Sequence, residues 1–411
     1  MVKYIIIIIL NCSSGCNLVL IMETGKSVGQ CAFDMLFSRN VPHILEKIFF
    51  SLDYESFQTC FKVNSAWNEF LSSESCQRKS NKMLIEKTKN EKTLLFLTKM
   101  GKTSEVKQLI SRGGWMDINC VEVWDQNSPW WQFDRRDQVT ALHWAAYYNL
   151  TDVVQVLLDG GAAPDMANGN GITPLQVAVL GWHKDVIKLL LRGKADPNKM
   201  SRLEFSPLQL ASLHGNDRED LVQLLLDAGA QTNEAGNKNG ITALHYATKV
   251  GHKKVVCLLL ENGANVNMAD ENGKTPLHFA SEEYVKKDLL SLAPERYGSL
   301  REIVQVLING KADPNMEDKT GWTPLHYGIS SKVIVQLLLD GGAQPNKEDK
   351  IMGTPLHWAS LHGSTEVVQL LLEKGADPDK RTRTGQTPVD FAVQEGHKEI
   401  VQLLKAHSKH Q

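Results

Sequence analysis

A short motif, Thr-Pro-Leu-His or a close variant, returns along this chain at a nearly constant interval, and it limits the possible fold more than any other feature. Its leading threonine or serine falls at Thr140, Thr173, Ser206, Thr242, Thr275, Thr323, Thr354 and Thr387. The spacings are 33, 33, 36, 33, 48, 31 and 33 residues. Self-similarity at this period predicts stacked helix pairs rather than one closed globule. A stack of this kind presents a long surface and works by binding partners.

One repeat, residues 242 to 275, shows the physical logic. Thr242 suits a helix N-cap, where its hydroxyl accepts from an otherwise orphaned backbone N–H. Proline follows the threonine or serine in six repeats, at Pro174, Pro207, Pro276, Pro324, Pro355 and Pro388. Its missing N–H costs nothing in a first helical turn. Leu244 and Ala247 share a face, and Gly251 ends this helix. Val255, Val256, Leu258, Leu259 and Leu260 make a second helix too apolar to be covered by one neighbour. Gly263 stops it, and Ala264-Asn265-Val266-Asn267 leads into a polar turn ending at Gly273. A single pair leaves that second helix uncovered, whereas a stack buries it.

These residues resemble the ankyrin repeat in motif, period and the trailing Gly-Ala, which recurs at Gly161-Ala162, Gly229-Ala230, Gly263-Ala264, Gly342-Ala343 and Gly375-Ala376. The resemblance covers roughly three quarters of the chain. A degenerate ninth copy precedes the eight: Thr93, Leu95, Thr98, Gly101, Val106, Leu109, Ile110 and Gly113 fall at the repeat offsets. In ankyrin arrays the partner docks on the hairpin tips and first helices. The resemblance therefore implies a target-binding face, with candidates Tyr147, Tyr148, Arg202, Leu203, Phe205, Leu213, His214, Trp322, Leu361 and His362. Large side chains at such positions are favoured anchors, or else they pack along neighbouring turns.

Residues 41 to 71 carry a different pattern. Ile44, Leu45, Ile48, Phe49 and Leu52 recur at helical spacing after Pro42, and Asp53 to Glu55 breaks the run. Phe57, Cys60 and Phe61 predict a second short helix, and Val63, Trp67, Phe70 and Leu71 a third. About thirty residues of this kind have little core of their own, so their apolar surface needs a partner or the array. The segment resembles an F-box, with Val41 in place of the usual opening leucine and Asn64 where a small residue is common. The resemblance implies docking on the Skp adaptor of a cullin–RING ubiquitin ligase, through Pro42, Leu45, Ile48, Phe49, Leu52, Phe57, Val63 and Trp67. It also implies an array that holds an unidentified protein substrate near the conjugating enzyme. The alternative is a non-catalytic ankyrin scaffold whose N-terminal helices only cap the array.

The expected fold class is therefore all-α: an ankyrin-repeat solenoid with short β-hairpin-like turns, plus a small three-helix F-box. The expected layout is an N-terminal extension (1–37) that is disordered or a mis-annotated addition, with Met22 as an alternative start, followed by the F-box (38–72), a helical linker (73–92) and the array (93–408). Two insertions break the array's rhythm. Residues 120–138 hold Trp124, Trp130, Trp131 and Phe133. Residues 282–298 hold Tyr284, Val285, Leu289, Leu290 and Leu292, expected to extend the flanking helices until Pro294 breaks them.

The remaining chemistry is sparse. Lys and Arg number 45 against 47 Asp and Glu, a net charge of −2, so bulk electrostatics do not favour nucleic acid. The apolar run Tyr4 to Leu10 after Lys3 looks like a short secretory signal, but neither it nor Leu18 to Met22 is long enough to span a bilayer. Seven cysteines without paired spacing favour a reducing compartment, cytoplasmic and/or nuclear, over a secreted route. His143, His245, His278, His326 and His357 share one repeat position, which predicts hydrogen bonding within the stack rather than a metal site. Gly25-Lys26-Ser27 lacks the upstream glycine of a phosphate loop, position 20 being Leu20. No catalytic residue, cofactor or metal is expected.

Overall fold

The computed structural model describes residues 5–11, 17–23, 74–112, 116–123, 138–214, 219–236, 239–282 and 294–408. The chain divides into two units, residues 1–93 with 113–117, and residues 94–112 with 118–411. In the first unit, β1 (Ile5–Asn11) pairs antiparallel with β2 (Asn17–Glu23), with Ile8 opposite Leu20. The two apolar runs are thus the arms of one ribbon. The F-box-like segment lies outside the described residues.

The chain then forms one 26-residue helix, α1 (Glu74–Lys99). The expected linker and the first helix of the degenerate copy are continuous. Thr93 does not start a helix as its counterparts do; it sits inside α1, and its hydroxyl donates back to the Lys89 carbonyl. No glycine or proline interrupts residues 74–99, so nothing creates a new N-terminus there. α2 (Thr103–Ser111) completes that pair.

Eight helix pairs follow in the second unit. They are α3 (Ala141–Tyr147) with α4 (Thr151–Asp159), α5 (Pro174–Leu180) with α6 (Lys184–Arg192), α7 (Pro207–His214) with α8 (Glu219–Asp227), and α9 (Ala243–Val250) with α10 (Lys253–Glu261). Next come α11 (Pro276–Ser281) with α12 (Pro294–Asn309), α13 (Pro324–Tyr327) with α14 (Lys332–Asp340), α15 (Pro355–Leu361) with α16 (Thr365–Glu373), and α17 (Pro388–Gln394) with α18 (Lys398–Ser408). Pro294 opens α12 instead of breaking a helix, as expected of a residue whose missing N–H is free of cost at the first position. The other insertion is closed by a short ribbon, β3 (Val121–Val123) against β4 (Gln138–Thr140), so among the described residues the fold is all-α apart from two small ribbons.

The second helix of each pair buries a repeated apolar triplet, such as Val186, Ile187 and Leu190 in α6 or Val255, Val256 and Leu259 in α10. Each such side chain contributes roughly 1.5–3 kcal/mol. Polar bonds then fix the stacking register. Asn198 accepts from Gln231 N (2.8 Å) and donates to Gly229 O (3.2 Å) in the next repeat. Asn233, Asn267, Asn315 and Asn346 repeat that pair of bonds, so five side chains lace the turns together. Lys184 to Asp220, Lys254 to Glu219 and Lys253 to Glu302 cross between neighbouring second helices at 2.6–2.8 Å. Cys120 is buried and Cys257 half-buried, both as free thiols. Among the described residues no helix is long and apolar enough to cross a membrane.

Candidate binding surface of the array

The helix-start motif builds the floor of the candidate surface. Thr140 caps α3, and His143 closes the box: its Nδ1 accepts from Thr140 N at 3.3 Å. The ring is thereby held as the Nε2–H tautomer, which donates to Ile172 O of the next turn at 3.0 Å. His245, His278, His326 and His357 make the same bridge to Lys274, Trp322, Gly353 and Gln386. Gln176 and Gln209 reproduce it with an amide, Oε1 accepting locally and Nε2 donating to Phe205 O and Ile241 O. Burial pushes all five histidines below their ordinary pKa, His143 and His326 down to about 4. These rings are neutral structural bridges, as their shared repeat position predicts.

Above the floor stand the finger turns. Asp270, Asp318 and Asp349 each use Oδ1 to accept backbone N–H groups two and four residues on. That Asx geometry lets a short polar side chain replace a backbone partner. Successive fingers are joined backbone to backbone, with Glu271 N to Asn239 O, Lys319 N to Asn272 O, Lys350 N to Thr320 O and Arg383 N to Ile351 O at 2.8–3.1 Å.

Between floor and fingers runs a row of aromatic rings that the sequence reading overlooked. The residue after each bridging His, Gln or Asp is Trp144, Val177, Leu210, Tyr246, Phe279, Tyr327, Trp358 or Phe391. Trp322 lies 5.0 Å from Tyr327 and 5.1 Å from Trp358, which in turn is 6.1 Å from Phe391. Both indoles donate to one carboxylate oxygen, Asp349 Oδ2, at 3.2 and 2.9 Å. Tyr327 donates to Asp318 Oδ2 at 2.6 Å, and burial together with that carboxylate pushes its phenol far above the usual range. Burial pulls Asp318 up, but its hydrogen bonds from Thr320, Tyr327 and Trp322 outweigh this and leave it below the ordinary carboxylate range. Lys274 lies 4.3 Å over the Tyr327 ring and 3.1 Å from Glu282.

The sequence candidates occupy several settings on this surface. Trp322 and Phe205 are half-buried, Phe205 lying 5.6 Å from Tyr246, so both pack on the next repeat's first helix. Tyr148 is exposed and stacks on Trp144 at 5.7 Å, with Tyr147 edge-on at 5.0 Å. Leu203 is 62% exposed beside exposed Arg202 at one fingertip. Leu213 and Leu361 are half-buried, and exposed His362 donates to Trp358 O. His214 ends α7, and its side chain lies outside the described residues, as do Pro42, Leu45, Ile48, Phe49, Leu52, Phe57, Val63 and Trp67. Among the described residues no three His, Cys, Asp or Glu side chains are placed to hold a metal.

A family profile described as ankyrin repeats in three copies matches residues 94–201, 142–236, 208–293, 290–382 and 331–411. The chain belongs to the ankyrin-repeat family. Ankyrin arrays bind proteins, and the surface above is of that kind. Curated relatives match over shorter stretches. The E3 ubiquitin-protein ligase KEG of Arabidopsis thaliana is 28% identical over 34% of this chain and 9% of its own length. Ankyrin repeat domain-containing protein 40 of Mus musculus is 35% identical over 19% of this chain and 21% of its own. The E3 ubiquitin-protein ligase hecd-1 of Caenorhabditis elegans is 46% identical over 15% of this chain and 2% of its own. The matched stretches thus span well under two thirds of these relatives.

Proposed function

We propose that this chain is a non-catalytic substrate receptor of a cullin–RING ubiquitin ligase. Residues 38–72 dock on the Skp adaptor as an F-box, and the ankyrin array holds the protein to be modified. The observation that carries the reading is the ordered set of anchors Pro42, Leu45, Ile48, Phe49, Leu52, Phe57, Val63 and Trp67, placed ahead of a binding array in one chain. The array itself supports a binding role: its five repeat-position histidines are neutral bridges, and Asp270, Asp318 and Asp349 hold fingers, which leaves these groups unsuited to acid–base work. Two relatives bear ligase names, which agrees with this direction. In this reading the chain acts by proximity, raising the local concentration of substrate lysines beside a charged conjugating enzyme, and works in the cytoplasm and/or nucleus.

Capture of the purified Skp adaptor by the tagged full chain tests it. The wild type should retain the adaptor, and Leu45→Asp with Ile48→Asp should lose it while far-UV circular dichroism shows the array intact. Equal retention by both proteins, or by neither, refutes the F-box assignment and leaves an ankyrin scaffold.

A further inference from the structure

We infer that two adjacent fingertips, residues 349–354 and 382–387, form a docking patch for an acidic segment of a partner protein that carries an apolar residue at its centre. The inference rests on the array being the part of the chain that holds a partner. It holds whether or not the N-terminal module engages an adaptor.

The first observation is backbone strain at an apolar tip. Seven fingertip residues adopt the left-handed conformation, and five of them are glycine: Gly171, Gly240, Gly273, Gly321 and Gly385. The other two are Glu204, at φ +59°, and Met352, at φ +64°. A side chain there costs about 1–2 kcal/mol relative to glycine. Met352 and the preceding Ile351 are 41% and 45% exposed. Two neighbouring apolar side chains therefore face water where the other described fingers, the Leu203–Glu204 tip excepted, carry small or polar residues, on a backbone that disfavours one of them. Strain kept at an exposed position points to a role outside the fold.

The second observation is the rigidity of the support. Asp349 accepts from Ile351 N at 2.9 Å and Gly353 N at 2.7 Å through one oxygen, and from both indoles through the other. It is buried, so one side chain fixes the finger to the aromatic row beneath it. Apolar groups presented on a fixed base lose little entropy when they are covered.

The third observation is charge. Exposed Arg383 bonds the first tip twice, N to Ile351 O and Nη2 to Lys350 O, both at 2.8 Å. Exposed Arg381 donates Nη1 to Gly385 O at 2.8 Å. Neither arginine nor Lys350 forms a salt bridge with a carboxylate among the described residues, whereas the nearby Lys347 and Lys380 are paired with Glu317 and Glu348 at 2.8 and 2.7 Å. A guanidinium has five donors, and each arginine spends one side-chain nitrogen on a carbonyl. The remainder suit carboxylates in forked geometry. Lys350 and Arg383 adjoin the apolar pair without a salt bridge, and Arg381 adds charge at the second tip, where it also acts on Asp390; this combination fits a segment with a leucine or phenylalanine between aspartates or glutamates. Single-stranded nucleic acid fits less well, because it needs aromatic platforms at the tips and a basic field. The indoles here lie beneath the finger with their N–H groups engaged, and the chain's net charge is −2.

Fluorescence anisotropy with the full chain tests the assignment. The probes are a labelled peptide of about twelve residues with leucine between aspartates and glutamates, the same peptide with lysine at every acidic position, one with serine for leucine, and an oligouridylate of similar length. The acidic leucine peptide should bind best. Arg381→Glu with Arg383→Glu should weaken it tenfold or more, and Ile351→Ser several-fold. Equal binding to wild type and the charge-reversed chain, tighter binding of the oligouridylate, or no peptide binding overturns the inference. The charge-reversed chain should still capture the Skp adaptor as the wild type does. Failure at the peptide thus overturns this patch alone, and failure of the wild type at the adaptor overturns the ligase reading alone.

Discussion

Replacing two of the bridging histidines by glutamine should flatten the pH dependence of the array's stability. His143 and His326 are buried, and desolvation holds each from 6.5 down to about 4. In both, Nδ1 accepts from a threonine N–H, so a proton placed there faces a donor. The unfolded chain takes up that proton below about pH 6.5, and the folded chain only near 4. The unfolded state therefore binds more protons across this window. The histidine contribution to stability is complete above pH 6.5 and is lost as pH falls toward 4. Linkage gives a loss of about 2 kcal/mol per histidine between about pH 7.5 and pH 5, hence about 4 kcal/mol for the pair. Ordinary carboxylates titrate mainly below that interval, and Asp318 and Asp390 lie lower still. Gln176 and Gln209 already make the same bridge, so His143→Gln with His326→Gln keeps an acceptor and a donor in place. Urea unfolding followed by circular dichroism at the two pH values measures the effect. The wild type should lose about 4 kcal/mol more than the double variant over the interval. Parallel losses in the two proteins would refute the bridge as the titrating element.

Other perturbations test separate joints of the structure. Asp349→Ala strips two indoles and two backbone N–H groups of their acceptor, and urea unfolding should show a loss of about 3 kcal/mol or more, with a shifted tryptophan emission. Asn315→Ala removes two exposed bonds between repeats and should cost about 1–2 kcal/mol in the same assay. Met352→Gly should raise stability by about 1 kcal/mol by relieving the left-handed strain, while weakening the acidic peptide. Leu259→Ala, in the fully buried seam of α10, should cost about 2–5 kcal/mol.

The repeat architecture was legible because it is written in local chemistry. Threonine caps, proline at the first helical position and glycine stops act within one turn of the chain, so their spacing alone placed the helix starts at 140, 173, 206, 242, 275, 323, 354 and 387. Thr93 failed as a start because capping needs a break before it, and residues 74–92 supply only helix-compatible side chains. Pro294 was misplaced because proline suits a helix start as well as a stop, and only the chain on either side distinguishes them. The asparagine lacing depends on the next repeat's backbone, which a single repeat's sequence does not display. The aromatic row has a signal in the sequence, six aromatic residues at one repeat position just after the bridging position. Trp322 and Phe205 lie just before the helix-start threonine or serine, and their role in the row depends on contacts with the following repeat. Exposure at Ile351 and Met352 likewise depends on how neighbouring fingers pair.

The direct measurement of the central claim is isothermal titration of the purified Skp adaptor into the purified full chain. The account predicts saturable binding at one adaptor per chain, abolished by Leu45→Asp with Ile48→Asp and unchanged by Arg381→Glu with Arg383→Glu. Absence of a saturable signal from the folded wild-type chain would contradict it.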